Sequence, residues 1–164
     1  RHKISQSCQI WREHFEKIVL EDVTFYTASM QLIQQRHAKK IKLGIFTNKT
    51  GDHSRIIWQH LQIASDLDIV IGANDTPFRK PAKELSQLAL DRLATTAENT
   101  CLIGDSPFDI ASAKTVGMKS YCVTTGTHNR EELSFHHPDG IYDSLFELAD
   151  AVFGLTLPQT STIS

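Results

Sequence analysis

Residues 101–109, Cys-Leu-Ile-Gly-Asp-Ser-Pro-Phe-Asp, carry the densest chemistry in this chain. A short apolar run, Cys101 to Ile103, meets Gly104, and carboxylates follow at Asp105 and Asp109. The apolar run reads as a buried strand, and Gly104 lets the backbone turn at its end. Asp105 is then delivered to the carboxyl edge of a sheet, where open α/β folds bind ligands. A helix starting near Pro107 sets Asp109 about one turn on, close enough to share a partner with Asp105. Oxygen-only ligands on a strand-end loop suit Mg²⁺, which takes one or two carboxylates, waters and a substrate phosphate. The same nine residues also fit an Asp cap followed by a solvated helix Asp.

Two other polar groups stand at comparable places. Thr47, with Asn48 after it, follows the apolar run Ile41–Phe46. A polar turn at a helix start presents backbone N–H groups to an anion. Lys80 precedes Pro81, which biases its backbone toward an extended or turn conformation. A hydroxyl, a lysine and a metal together make a receptor for a phosphate dianion and for its spreading charge during transfer. Taken singly, Thr47-Asn48 fits an ordinary turn with a helix cap, and Lys80 fits a surface lysine.

These residues need a scaffold that gathers them. Residues 5–19 carry Cys8, Trp11, Phe15, Ile18 and Val19 at helical spacing, and a second helix is predicted over 28–38. Strands are predicted at 41–46, 68–71, 101–104 and 119–123, with a minor one at 141–142. Helices fall between them. One is capped by Asp52 or Ser54, and one has Pro81 in its first turn with Leu85, Leu88, Ala89 and Leu93 on one face. Another is stopped by Gly117, a short one covers 129–133, and the last spans 144–153. The tail, 158–164, is polar. Alternating strands and helices imply a parallel sheet covered on both faces. Parallel strands end on one edge, so Thr47-Asn48, Asp105 and the 124–127 loop converge whatever the strand order.

Composition sets the outer limits. The chain has 164 residues, 40% hydrophobic and 22% charged, with a formal net charge of −2. That fits one globular domain. No basic stripe argues for nucleic acid, and no apolar run approaches the roughly 18 residues of a membrane span. The cluster Arg36 to Lys40 reads as a solvated helix end. Cys8, Cys101 and Cys122 form no paired spacing, which suits free thiols in a reducing, cytoplasmic setting and no zinc site. His136-His137 is a weak metal candidate on a polar loop. Arg1 stands first and no signal-peptide pattern follows, so the chain reads as a processed, trimmed or truncated product. Nothing in the sequence speaks to oligomeric state.

Three ordered stretches then carry a resemblance. They are Lys-Leu-Gly-Ile-Phe-Thr-Asn-Lys at 42–49, Arg-Lys-Pro at 79–81, and Gly-Asp-Ser-Pro-Phe-Asp-Ile with Ala-Lys-Thr-Val-Gly-Met at 104–118. Together they resemble the haloacid dehalogenase-like hydrolases, nearest to the phosphoglycolate phosphatase-like branch, from about Phe25 to Val152. The resemblance implies a Rossmann-like three-layer α/β/α core with a mostly parallel sheet. It implies that Thr47 and the Asn48 N–H hold the transferring phosphoryl group. Lys80 would steady nucleophile and phosphate, and Asp105 and Asp109 would hold Mg²⁺. Ser106 fits the small polar position of the last motif, and the 124–126 loop matches a segment bordering the site. The substrate class implied is a small phosphorylated metabolite.

One motif of that family has no match. Its Asp-x-Asp nucleophile and acid–base pair should follow the first strand. Asp66-Leu67-Asp68 is the only Asp-x-Asp here, and it precedes its strand, on the wrong edge. Residues 1–22 read as a residual cap helix or a cap-to-core connection, 23–155 as the core and 156–164 as a flexible tail. In the family the first strand lies between those ending near Phe46 and Gly104, so its absence predicts unpaired backbone on two inner strands. The resemblance therefore implies a partial phosphatase lacking its nucleophile. A non-catalytic module that keeps the fold for binding or assembly is the alternative. A receiver-type signalling domain would place its acidic cluster early in the chain, where none exists.

Overall fold

The computed structural model of the protein describes residues 27–158. The expected helix over 5–19 and the end of the tail lie outside the described residues. The elements in chain order are α1 (Thr27–Lys39), β1 (Gly44–Phe46), α2 (Gly51–His60), β2 (Ile69–Ile71) and α3 (Lys83–Leu93). Then come β3 (Cys101–Gly104), α4 (Pro107–Val116), β4 (Lys119–Val123), α5 (Arg130–Ser134), β5 (Gly140–Tyr142) and α6 (Leu145–Phe153). Short 3₁₀ turns at Ala64–Asp66 and Ala97–Asn99 lead into β2 and β3. Strands alternate with helices and every strand pair is parallel, as the α/β pattern requires. Among the described residues no helix is long and apolar enough to cross a membrane.

The strands form two sheets rather than one. β1 pairs with β2, and β3, β4 and β5 pair in that order. Among the described residues no strand lies between β1 and β3. A cleft of about 550 Å³ separates them, lined by Gly44, Ile45 and Phe46 on one side and Cys101, Leu102 and Ile103 on the other. Hydrogen bonding shows which backbone groups face it. Thr47 N–H donates to Ile71 C=O, and Asp68 N–H donates to Leu43 C=O. Leu43 and Thr47 therefore address β2, and so does Ile45 between them by the period of two. The N–H and C=O of Gly44 and Phe46 turn toward the cleft. Among the described residues no strand pairs with this edge of β1.

One helix holds the two sheets together. Leu85 and Ala89 of α3 are buried against Ile71, with Phe46 and Ile69 beside them. Leu90 of the same helix is buried with Ala113 and Met118 on the other sheet's side. Ser86 and Ser112 are wholly buried, and Ser86 Oγ donates to the Ser112 carbonyl at 2.9 Å, locking α3 to α4. At the amino end of β1, Lys42 Nζ donates to the free carbonyls of Leu93 and Ala94 at the end of α3. A cation there suits both the orphan carbonyls and the helix dipole. A separate cluster of Ala28, Ala149, Leu155 and Leu157 seats α1 on α6.

Three boundaries differ from the sequence-based expectations by more than one residue. β1 is three residues, not six, because β2 offers only three partners and the Leu43 N–H is taken by Asp68 Oδ2 at 2.7 Å. α2 begins at Gly51 with Thr50 in the N-cap position, though without a side-chain cap, so neither Asp52 nor Ser54 is the cap. Both lie inside the helix, where Asp52 pairs with Arg55 and Ser54 Oγ donates to the Thr50 carbonyl. α3 begins at Lys83, because Ala82 is extended (φ −58°, ψ 132°), and Pro81 lies before the first turn. Gly117 does stop α4, at φ 79°, a conformation that favours glycine.

Ile71 is fully buried on the strand that leads to the loop carrying Lys80. Ile71→Ala is expected to cost about 2–5 kcal/mol of unfolding free energy. Urea denaturation followed by circular dichroism measures it; a change under 1 kcal/mol (roughly one lost methylene) would contradict the packing described.

Candidate active site

Thr47, Lys80, Asp105 and Asp109 all come after the carboxyl ends of strands. Thr47 follows β1, Lys80 lies in the loop after β2, and Asp105 and Asp109 follow β3. Side chains link them in a chain. Asn48 Oδ1 accepts the Lys80 backbone N–H at 3.0 Å. Lys80 Nζ donates to Asp109 Oδ1 at 2.6 Å, in an ion pair whose side chains are 13% and 8% exposed. Asp109 Oδ2 accepts the N–H of Asp105 at 3.3 Å and the N–H and hydroxyl of Ser106 at 3.2 and 2.7 Å. The structure thus brings Thr47-Asn48, Lys80, Asp105 and Asp109 into one neighbourhood.

The two aspartates sit in different environments. Asp109, buried in the first turn of α4, has both oxygens engaged. Its position beside the helix N-terminus suits a negative charge. Gly104 gives it room: a Cβ there would collide with the Asp109 carboxylate. Asp105 is half-buried, and among the described residues its carboxylate accepts one hydrogen bond, a 3.3 Å contact from the Thr127 N–H to Oδ2. Its carboxylate rests against Gly126, where a Cβ would overlap Oδ2. Asp105 therefore keeps open acceptor capacity beside a second carboxylate, a hard oxygen donor set that fits Mg²⁺. Among the described residues no group of three or more His, Cys, Asp and Glu gathers where it could hold a metal. The candidate His136-His137 contributes no such group: the His136 carbonyl takes Lys114 Nζ, and its ring meets the edge of Phe135.

On the opposite side, Thr47 Oγ1 accepts the Lys49 N–H at 3.1 Å, which leaves its own proton to donate. The Asn48 N–H has no partner among the described residues. Behind it the start of α2 is braced. Asn74 Oδ1 accepts the Gly51 N–H at 2.5 Å, and Arg55 grips Asp75 through two 3.0 Å bonds. These bonds hold the Asp75 carboxyl below the usual carboxylate range. The remaining Asp-x-Asp candidate is elsewhere. Asp68 bonds Leu43 N–H at the amino ends of β1 and β2, the edge opposite Lys80.

Sequence reading missed three contacts. The Asn48 side chain reaches Lys80 across 32 positions. The Phe46 ring lies under the Lys80 ammonium, 5.2 Å from centroid to Nζ. Gly126 backs Asp105. An aromatic residue ending a strand beside a strand-end lysine is the one sequence signal that could have pointed to the second.

The family model described as haloacid dehalogenase-like hydrolase matches residues 1–123. The chain belongs to that family. Within the haloacid dehalogenase-like hydrolases it is 33% identical over 151 residues to a phosphoglycolate phosphatase of Salmonella typhi, covering 90% of this chain and 60% of that enzyme. It is 30% identical over 122 residues to the probable phosphatase IndB of Dickeya dadantii, covering 74% and 53%. The chain therefore spans little more than half the length of these curated relatives. Among solved structures, a haloacid dehalogenase-like family hydrolase from Streptococcus pneumoniae superposes with a TM-score of 0.74 at 21% identity, over 92% of this chain and 70% of that one. CbbY from Rhodobacter sphaeroides, solved in complex with xylulose-1,5-bisphosphate, superposes with a TM-score of 0.72 at 20% identity, over 83% and 61%. These two likenesses establish the Rossmann-like fold.

Cys122 lies on β4 under the acidic pair and is fully buried. Burial, with added repulsion from Asp109 and Asp105, pushes its thiol up to about 11. At pH 8 the thiolate is then scarce and shielded. Iodoacetamide at pH 8 should leave Cys122 unmodified in the folded protein and alkylate it in 8 M urea (roughly the strongest practical denaturant), as read by peptide mass spectrometry. Rapid labelling without denaturant would contradict the assigned environment.

Proposed function

We propose that this chain supplies the phosphate- and metal-binding part of a Mg²⁺-dependent phosphomonoesterase acting on a small phosphorylated metabolite, in the manner of phosphoglycolate phosphatases. The observation that carries the reading is the Lys80–Asp109 ion pair with Asn48 on the Lys80 backbone. It ties a hydroxyl and free N–H to a lysine and two carboxylates. The relatives named phosphoglycolate phosphatase support the substrate class. The free thiols of Cys101 and Cys122 suit a reducing, cytoplasmic setting.

The parts divide the work by charge. The Thr47 hydroxyl and the Asn48 N–H donate to phosphoryl oxygens. Lys80, held by Asp109, adds a positive charge close by and stabilises the charge that spreads over those oxygens during transfer. Asp105 and Asp109 would hold Mg²⁺, with Asp105 offering the open oxygen and Asp109 adding charge beside it. When bound, the ion neutralises phosphate charge and orients the transferring group. In this reading a carboxylate takes the phosphoryl group as an aspartyl-phosphate. The only Asp-x-Asp in the sequence stands at the opposite edge. The 164-residue chain alone therefore binds without turning over.

Isothermal titration of the chain with inorganic phosphate tests this. Binding is expected in the presence of Mg²⁺. It should weaken about tenfold or more in Thr47→Ala and Lys80→Ala, since each loses a hydrogen bond to a charged group. Hydrolysis of p-nitrophenyl phosphate is expected to stay at background. Mg²⁺-dependent turnover abolished by Asp105→Asn would overturn the claim that the nucleophile is lacking. Failure to bind phosphate with Mg²⁺ present would overturn the reading of the site.

A further inference from the structure

The segment 76–82 carries Lys80 between β2 and α3, and its own hydrogen bonding is mostly local. Thr76 Oγ1 bonds the carbonyl and N–H of Phe78, and Arg79 C=O accepts the Ala82 N–H. Among the described residues, two hydrogen bonds join this segment to parts of the protein distant in sequence. Both start on Lys80. Its ammonium reaches Asp109 and its backbone N–H reaches Asn48.

Those two anchors act on opposite halves of the site. Asp109 ties the ammonium to the carboxylate side. Asn48 ties the Lys80 backbone to the side that carries the Thr47 hydroxyl and the unpartnered Asn48 N–H. A lysine side chain has four flexible carbons, so its ammonium can stay with one partner while its backbone drifts. Pinning the backbone removes that freedom, and the Phe46 face under Nζ limits it further.

We propose that the Asn48 side chain is a positioning residue for Lys80. Its amide carbonyl fixes the distance between the lysine and the anion that the same residue's backbone N–H receives. One residue thereby sets both ends of the phosphate clamp. The effect on anion binding rests on the reading of the site given above; the Asn48–Lys80 link can be tested apart from it.

A double-mutant cycle on the full 164-residue chain provides the test, with inorganic phosphate and Mg²⁺ as the probe. Asn48→Ala leaves the backbone N–H in place. It should weaken phosphate binding about fivefold, the scale of one hydrogen bond. In a Lys80→Met background, where no ammonium remains to be placed, it should weaken binding less than about twofold. Amide exchange at Lys80 supplies a second measurement. It should quicken about fivefold in Asn48→Ala and return to the parent rate in Asn48→Asp, which keeps the acceptor. An equal loss of binding in both backgrounds overturns the proposal, and so does a Lys80 exchange rate that Asn48→Ala leaves unchanged. If the parent chain binds no phosphate while Asn48→Ala still frees the Lys80 amide, the phosphatase reading falls and the Asn48–Lys80 link stands.

Discussion

The Lys80–Asp109 ion pair is the contact on which the site's arrangement depends. Both groups are largely withdrawn from water. A buried charge without its partner is costly, so neither can wander independently of the other. The pair forces the loop after β2 against the first turn of α4. That single constraint carries the lysine from one sheet to the carboxylates of the other. Asp109 then spends its second oxygen on Ser106 and on the Asp105 N–H, so the turn after Gly104 is shaped by the same carboxylate. Asp105 is left as the acid with capacity to spare.

Beneath the polar edge, the apolar architecture serves that pair. α3 follows directly on the Lys80 loop and packs on both sheets, through Leu85 and Ala89 to one and Leu90 to the other. Ser86 and Ser112 satisfy buried polar groups within the α3–α4 contact rather than leaving them to water. The helix that begins beside the lysine is thereby clamped to the helix that bears its partner. Burial and ion pairing point the same way, a consistency across levels expected of a foldable sequence.

Much of this was legible in the chain. β3 and β4 were readable to the residue, because each is an apolar run ended by a turn, and Gly117 marks the end of α4 as its left-handed backbone demands. The sheet-edge convergence of Thr47-Asn48 and Asp105 followed from parallel topology, whereas Lys80 and Asp109 were placed there by the turn before Pro81, by helix spacing and by the family resemblance. Other features depend on partners distant in sequence and left no local mark. The start of α2 is set by Asn74 taking the Gly51 N–H, so two good capping residues nearby, Asp52 and Ser54, misdirected the boundary. The length of β1 is limited by β2 and by Asp68, whereas the apolar pattern reports burial only. The Asn48–Lys80 bond joins two irregular loops, whose meeting no periodicity encodes.

The cleft between β1 and β3 has a mechanical consequence. The donor groups ride on one sheet and the acids on the other, and among the described residues the seam between them is lined by Phe46 and Leu102 with no backbone ladder across it. In the proposed function, the span available to a tetrahedral anion is thus set by how far the two halves stand apart. Bulk added or removed deep in the seam would change the gauge of the jaws above it without altering any polar group that grips the ligand.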